Sequence, residues 1–173
     1  TMDNLQLTAE SGDYTFYPNP AEANQNAVST GGSITDILTA LGTSKKATIV
    51  LYHNGAANTT TYTVASNADW SAYTNVTFKI VPGAVLQIAT GTTTTIPVMD
   101  ENGLHQRFSY VGTGKVIFGA GAVDFIRPEW FATNTTPGTT DMHVAFEQAI
   151  ECGYNSGIQT IKLSSSKYYF ADY

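Results

Sequence analysis

FKIVPGAVLQIATGTTTTIP, from Phe78 to Pro97, is followed by FSYVGTGKVIFGAGAVDFIRP, from Phe108 to Pro128. The two stretches match at a shift of about thirty residues. Phe78 then falls on Phe108, Val81 on Val111, Leu86 on Val116, Ile88 on Phe118, Gly91 on Gly121 and Ile96 on Ile126. Short strands and glycine turns at a fixed period are what stacked β-coils need, because each coil repeats its inward residues and like packs on like. Three strands fit into each copy. The pattern predicts a mostly-β chain that begins a three-sided parallel β-helix.

Strand periodicity continues outside the repeat. Thr48 to Tyr52 and Thr60 to Val64 read as strands, separated by the turn His53-Asn54-Gly55. From Val76 to Val81 the pattern has period two, with Val76, Phe78 and Ile80 on one face and Thr77 and Lys79 on the other. Pro82-Gly83 turns the chain into Val85 to Ile88, and the threonines at 92 to 95 suit an exposed β-face. In the second copy the strands are Phe108 to Val111, Lys115 to Phe118 and Val123 to Ile126. Ile158 to Leu163 and Lys167 to Phe170 read as further strands.

Two helices interrupt this pattern. Ile34, Ile37, Leu38 and Leu41 share one helical face, Ser33 with Asp36 forms a capping box, and Gly42 stops the helix. Asp141 to Cys152 carries the stripe Met142, Ala145, Phe146, Ala149 and Ile150, capped by Thr140 or Asp141 and ended by Gly153. The expected organisation is an arm or linker over 1–32, with a short strand at Asp13 to Tyr17. A capping helix and leading coils follow over 33–132. The second helix and the first strands of a continuing stack occupy 133–173. Thr1-Met2 reads as a vector residue ahead of a start methionine, so the amino end is either native or a cloning boundary.

Composition limits the function classes. The chain has 173 residues, a net charge of −6 and no basic cluster larger than Lys45-Lys46. A phosphate-binding footprint is therefore missing, and no nucleic-acid partner is expected. No apolar run reaches the eighteen or so residues of a membrane span, and no secretory leader is expected. Cys152 is the single cysteine, which excludes an intrachain disulfide and a multi-cysteine metal site. His53, His105 and His143 are scattered without metal-ligand spacing. No metal or other cofactor is expected.

At Pro128-Glu129-Trp130-Phe131-Ala132 the chain resembles the start of the main domain in right-handed parallel β-helix proteins of the pectate-lyase type. Gly138-Thr139-Thr140-Asp141, the helix through Phe146-Glu147-Gln148-Ala149-Ile150, Ile161-Lys162-Leu163 and Tyr168-Tyr169-Phe170 continue the resemblance. Val81-Pro82-Gly83-Ala84 and the run from Phe108 to Gly119 are similar to the family's leading coils. The resemblance covers roughly 45–173. It departs from the family at Met142, where a second aspartate is usual, at the glycine missing after Trp130-Phe131, and at Asn155-Ser156-Gly157 and Ser164-Ser165-Ser166-Lys167. These departures suggest a divergent member, such as the bacteriophage tailspikes and capsule depolymerases. That resemblance implies a homotrimer on the virion surface, an attachment partner in the baseplate or tail, and a parent protein that binds and cleaves a bacterial surface polysaccharide. It also implies that the catalytic carboxylates lie on later coils, so none is assigned here.

Within the chain, Ser33, Gly42, Pro82, Gly83, Gly91, Gly121, Pro128, Trp130 and Asp141 read as structural. Asp141 reads as an amide acceptor at a helix start, Glu129 as a turn residue and Asp100-Glu101 as a solvated loop. Asp124 and Glu129 are the only local carboxylate pair on the coils, and nothing brings them together. Trp70, Tyr73, Trp130 and the pair Tyr168-Tyr169 are the aromatic candidates for stacking on a sugar ring. Two other functions fit the same residues. One is the leading part of a secreted polysaccharide lyase or glycoside hydrolase, and the other is a carbohydrate-binding adhesin module.

Overall fold

Nine short strands and two helices make up a computed structural model that describes residues 14–29, 31–55 and 58–171. The strands are β1 (Tyr14–Phe16), β2 (Ala47–Leu51), β3 (Thr60–Val64), β4 (Ala68–Asp69), β5 (Val76–Ile80), β6 (Ala84–Ile88), β7 (Thr93–Ile96), β8 (Phe108–Tyr110) and β9 (Lys115–Phe118). They form three small parallel sheets, β1-β2-β5, β3-β6-β8 and β4-β7-β9, and among the described residues no barrel closes. From β2 onward the chain visits the first, second and third sheets in turn and then starts again. Met99 bridges Phe78 to give the first sheet its next contact before β8 and β9 complete the round.

The register sets like on like. Phe16, Ile49 and Phe78 are successive partners in the first sheet. Tyr62, Leu86 and Phe108 are partners in the second, and Ile96 pairs with Phe118 in the third. Apart from the half-buried Phe16, all of these are buried in one hydrophobic core. The thirty-residue alignment is therefore not the stacking register. Leu86 pairs with Phe108, twenty-two residues on, and Thr94 pairs with Val116 at the same interval. Sliding the chain by one round plus one side, about eight residues more, again lays strand on strand and turn on turn. That is why Phe78 matched Phe108 although they belong to different sheets.

The third sheet also corrects the threonine face. Thr92 and Thr94 are buried, while Thr93 and Thr95 are half-exposed. Thr94 sits between Ala68 and Val116 in an inward row, so period two divides the run between core and surface. The segments 123–126, 158–163 and 167–170 form no strands. They contribute only the isolated parallel bridges Ile126 to Ile161 and Asp141 to Tyr169.

The first helix, α1 (Ile34–Leu41), follows its sequence closely. Ser33 Oγ accepts from Asp36 N–H, the Asp36 carboxylate accepts from Ser33 N–H, and Gly42 closes the helix. Ile34, Ile37, Leu38 and Leu41 all enter the core. The second helix, α2 (His143–Ser156), starts later and runs longer than its pattern predicts. Met142 takes the N-cap position, while Asp141 accepts from His143 N–H at 3.0 Å. Gly153 does not end the helix. Gly157, at φ 70°, does, with Ile158 N–H bonding Gly153 C=O and Gly157 N–H bonding Tyr154 C=O. The buried stripe runs through Met142, Ala145, Ala149, Cys152 and Gly153, and leaves Ile150 59% exposed.

Within the segment expected to be an arm, the described residues hold one short strand, with turns and irregular chain after it. Its strand is β1, which pairs with β2; Asp13 lies outside the described residues. Gln25 is fully buried and ties three segments together. Its N–H bonds Thr63 C=O, its amide NH2 bonds Asn19 C=O, and its amide oxygen accepts from Ile34 N–H.

Cys152 lies in the core beside Ser156, and burial pushes its thiol up to about 12. An unfolded thiol ionises from about pH 9, so above that pH the folded chain keeps a proton that the unfolded chain has released. Stability then falls as pH rises, by about 2 kcal/mol from this group at pH 10.5. Burial drives the Tyr62 and Tyr110 hydroxyls in the same direction from about pH 10. Urea titrations at pH 8 and pH 10.5 are expected to show the loss, and Cys152→Ala is expected to remove the thiol's share.

Candidate functional site

The outward residues of the first sheet form a grid. Period two turns Ala47, Ile49 and Leu51 of β2 and Val76, Phe78 and Ile80 of β5 into the core. The residues between them must face out. Thr15, Thr48 and Thr77 are register partners and make one outward row across the three strands. The next row runs from Tyr17 through Val50 and Lys79, which are register partners, to Asp100, which follows the Phe78–Met99 bridge. The two rows line a hollow of about 510 Å³. Parallel strands lie about 4.8 Å apart, so each row offers side chains at that spacing.

Tyr17 stands at one end of the grid and is 60% exposed. Its ring meets Tyr52 edge to face at 6.1 Å, and Tyr52 meets Tyr62 at 6.4 Å. Tyr62 is fully buried, and its hydroxyl accepts from Tyr52 N–H and donates to Tyr52 C=O, both at 3.1 Å. The exposed ring is thus braced through a second ring against a fixed one. Beyond Tyr17, a second hollow of about 590 Å³ is lined by Pro18, Asn19 and Gly31.

Under the other end of the grid lies Arg107, which sequence reading passed over. It is 1% exposed. Its guanidinium donates to the carbonyls of Asp100 and Asn102 and lies 4.9 Å from the centre of the Trp130 ring. Burial lowers its pKa from 12.5 to about 10. This holds the 100–107 loop, and with it Asp100 at the rim of the grid. Nearby, His105 bonds Ile80 C=O at 2.7 Å, and burial shifts its imidazole downward.

The aromatic candidates lie elsewhere. Trp130 has no exposed surface and Trp70 is 2% exposed, so neither offers a ring face to a sugar. Trp70 stacks on Phe78 at 5.5 Å and its indole N–H bonds the Thr35 hydroxyl. Tyr73 is half-buried against the core. Both tryptophans are packing residues.

The structural candidates occupy turns and caps. Pro82-Gly83 forms a turn closed by Ala84 N–H to Val81 C=O, with Gly83 at φ 87°. Gly91 and Gly121 also adopt positive φ. Pro128 opens a 3-10 turn, Pro128–Trp130. Glu129 in that turn is buried, and its carboxylate accepts from the Tyr168 hydroxyl, which also bonds Ser164. Asp124 is exposed while Glu129 is buried, so the pair does not face one cleft. Asp100 and Glu101 bind within the chain: Asp100 accepts from Asn102, and Glu101 accepts from Asp124 N–H. Among the described residues, no group of three or more His, Cys, Asp or Glu side chains is placed to hold a metal ion. Nor is any helix among them long and apolar enough to cross a membrane.

No protein-family model, curated protein or solved structure matches the chain. The described residues have a mostly-strand architecture of three small parallel sheets and two helices.

Proposed function

We propose that the chain is the leading part of a parallel β-helix protein of the tailspike type. Its three sheets are the sides of the stack and its two helices are caps. The parent protein binds and cleaves a bacterial surface polysaccharide with residues on later coils, and the leading part attaches it to a baseplate or tail partner at the virion surface. One observation carries this reading: the chain visits three parallel sheets in a fixed rotation and stacks like residues on like. The resemblance around Pro128-Glu129-Trp130-Phe131 supports the family. Burial of all three residues of the 3-10 turn fits a packing role for that motif.

Light scattering over a range of concentrations tests the proposal. A stable trimer is expected. A monomer at every concentration would overturn the tailspike assignment, leaving the leading part of a secreted polysaccharide lyase or hydrolase as the reading.

A further inference from the structure

We infer that the outer face of the first sheet binds a neutral oligosaccharide, with Tyr17 as its stacking platform. The inference stands on the groove alone and does not need the tailspike reading. The row Thr15, Thr48 and Thr77 presents three hydroxyls in register, and each can donate and accept. A ligand that matches them must carry closely spaced groups which also do both, and sugar hydroxyls are of that kind. An exposed tyrosine ring suits the C–H face of a pyranose, since it is apolar in body and polar at the tip.

Two features indicate a chain of sugars over a single one. Tyr17 borders both hollows, of about 510 and 590 Å³, so a ligand can run along the grid and past the ring. The platform is also braced before any ligand arrives, through Tyr52 to the buried Tyr62. A preset ring loses little side-chain entropy on binding.

Charge decides between neutral and acidic glycans. Lys79 and Asp100 are neighbours in the second row, so the groove carries one charge of each sign. The chain as a whole is at −6. A polyuronate would find one cation, one adjacent anion and a repelling field. A neutral chain can use Lys79 as donor and Asp100 as acceptor at no such cost.

The test is ¹H–¹⁵N NMR of the full chain with maltohexaose, cellohexaose, mannohexaose and hexagalacturonate, each to about 10 mM. At least one neutral hexaose is expected to shift the amides of Thr15, Tyr17, Thr48, Thr77 and Lys79, and hexagalacturonate to shift none of them. Tyr17→Ala is expected to weaken binding about tenfold, and Thr48→Val about three- to tenfold with the fold unchanged. Tyr154→Ala, on an 86% exposed ring of α2, is expected to change nothing. The inference is overturned if none of the neutral probes shifts the grid, if only the acidic probe does, or if Tyr17→Ala and Thr48→Val bind as the wild type does.

Discussion

Trp130→Ala is expected to lower the stability of this chain by about 3–5 kcal/mol and its Tm by roughly 10 °C. The indole has no exposed surface. It packs on Phe118 at 6.1 Å and Phe125 at 5.9 Å, and carries the Arg107 guanidinium on its face. Removing it empties space beneath three groups at once, and a buried cation loses its aromatic partner. The bond from Arg107 N–H to Trp130 C=O, at 2.8 Å, is backbone and survives. Trp130→Phe separates volume from chemistry. The phenyl ring keeps most contacts and removes an indole N–H that has no acceptor among the described residues. It is expected to cost less than about 2 kcal/mol in the same urea titration. If alanine proves as mild as phenylalanine, Trp130 is not a core residue.

Local signals carried through to the structure. The capping box at Ser33 and Asp36, the four apolar residues of α1 and the stop at Gly42 depend on neighbours within a turn or two. The strand Thr60–Val64 needs only its own alternation. Register is different, because every side of the stack uses the same vocabulary of short apolar strand and glycine turn. A shift by one round plus one side then matches as well as the round itself. Gly153 shows a further limit. It reads as a helix stop, yet it sits inside α2 because the chain doubles back on it: a Cβ there would lie 2.9 Å from Ile158 O. That approach is tertiary, and only the folded chain reveals it.

The groove was half legible. Alternation over Val76–Ile80 already turns Thr77 and Lys79 outward. It cannot say that Thr15 and Thr48 are their row-mates, or that a loop brings Asp100 alongside, because those facts are the register. Aromatic residues misled for the opposite reason. Trp70 and Trp130 looked available for sugars because sequence gives composition without exposure, while Tyr17, the exposed ring at the end of the grid, lay in a segment read as an arm. Arg107 was invisible for a related reason. A lone arginine is usually a surface residue, and nothing nearby in sequence announces two carbonyls and an indole around it.

Arg107 therefore gives the second large effect, and magnitudes decide its sign. Arg107→Ala is expected to cost about 3 kcal/mol, from the lost packing of a long side chain 1% exposed and from carbonyls left without a donor. The charge itself works against folding. A fall from 12.5 to about 10, driven by burial and opposed by the nearby charge of Asp100, corresponds to roughly 3 kcal/mol disfavouring the cation. Arg107→Met fills much of the same volume, keeps a contact with the Trp130 ring through its sulfur, and leaves no charge to bury. It is expected to unfold within about 1 kcal/mol of the wild type. The two variants should nonetheless share one defect. With no donor for Asp100 and Asn102, the 100–107 loop loses its tether, and amide exchange at Asn102 to Gln106 should quicken in both by tenfold or more, as about 1.4 kcal/mol of local stability implies. Global stability would then follow volume while loop protection follows the guanidinium. If methionine is as damaging to global stability as alanine, the buried charge is a net stabiliser. If exchange in the loop is unchanged in both, the loop is held by something other than Arg107, and Asp100 needs no help to keep its place at the rim of the groove.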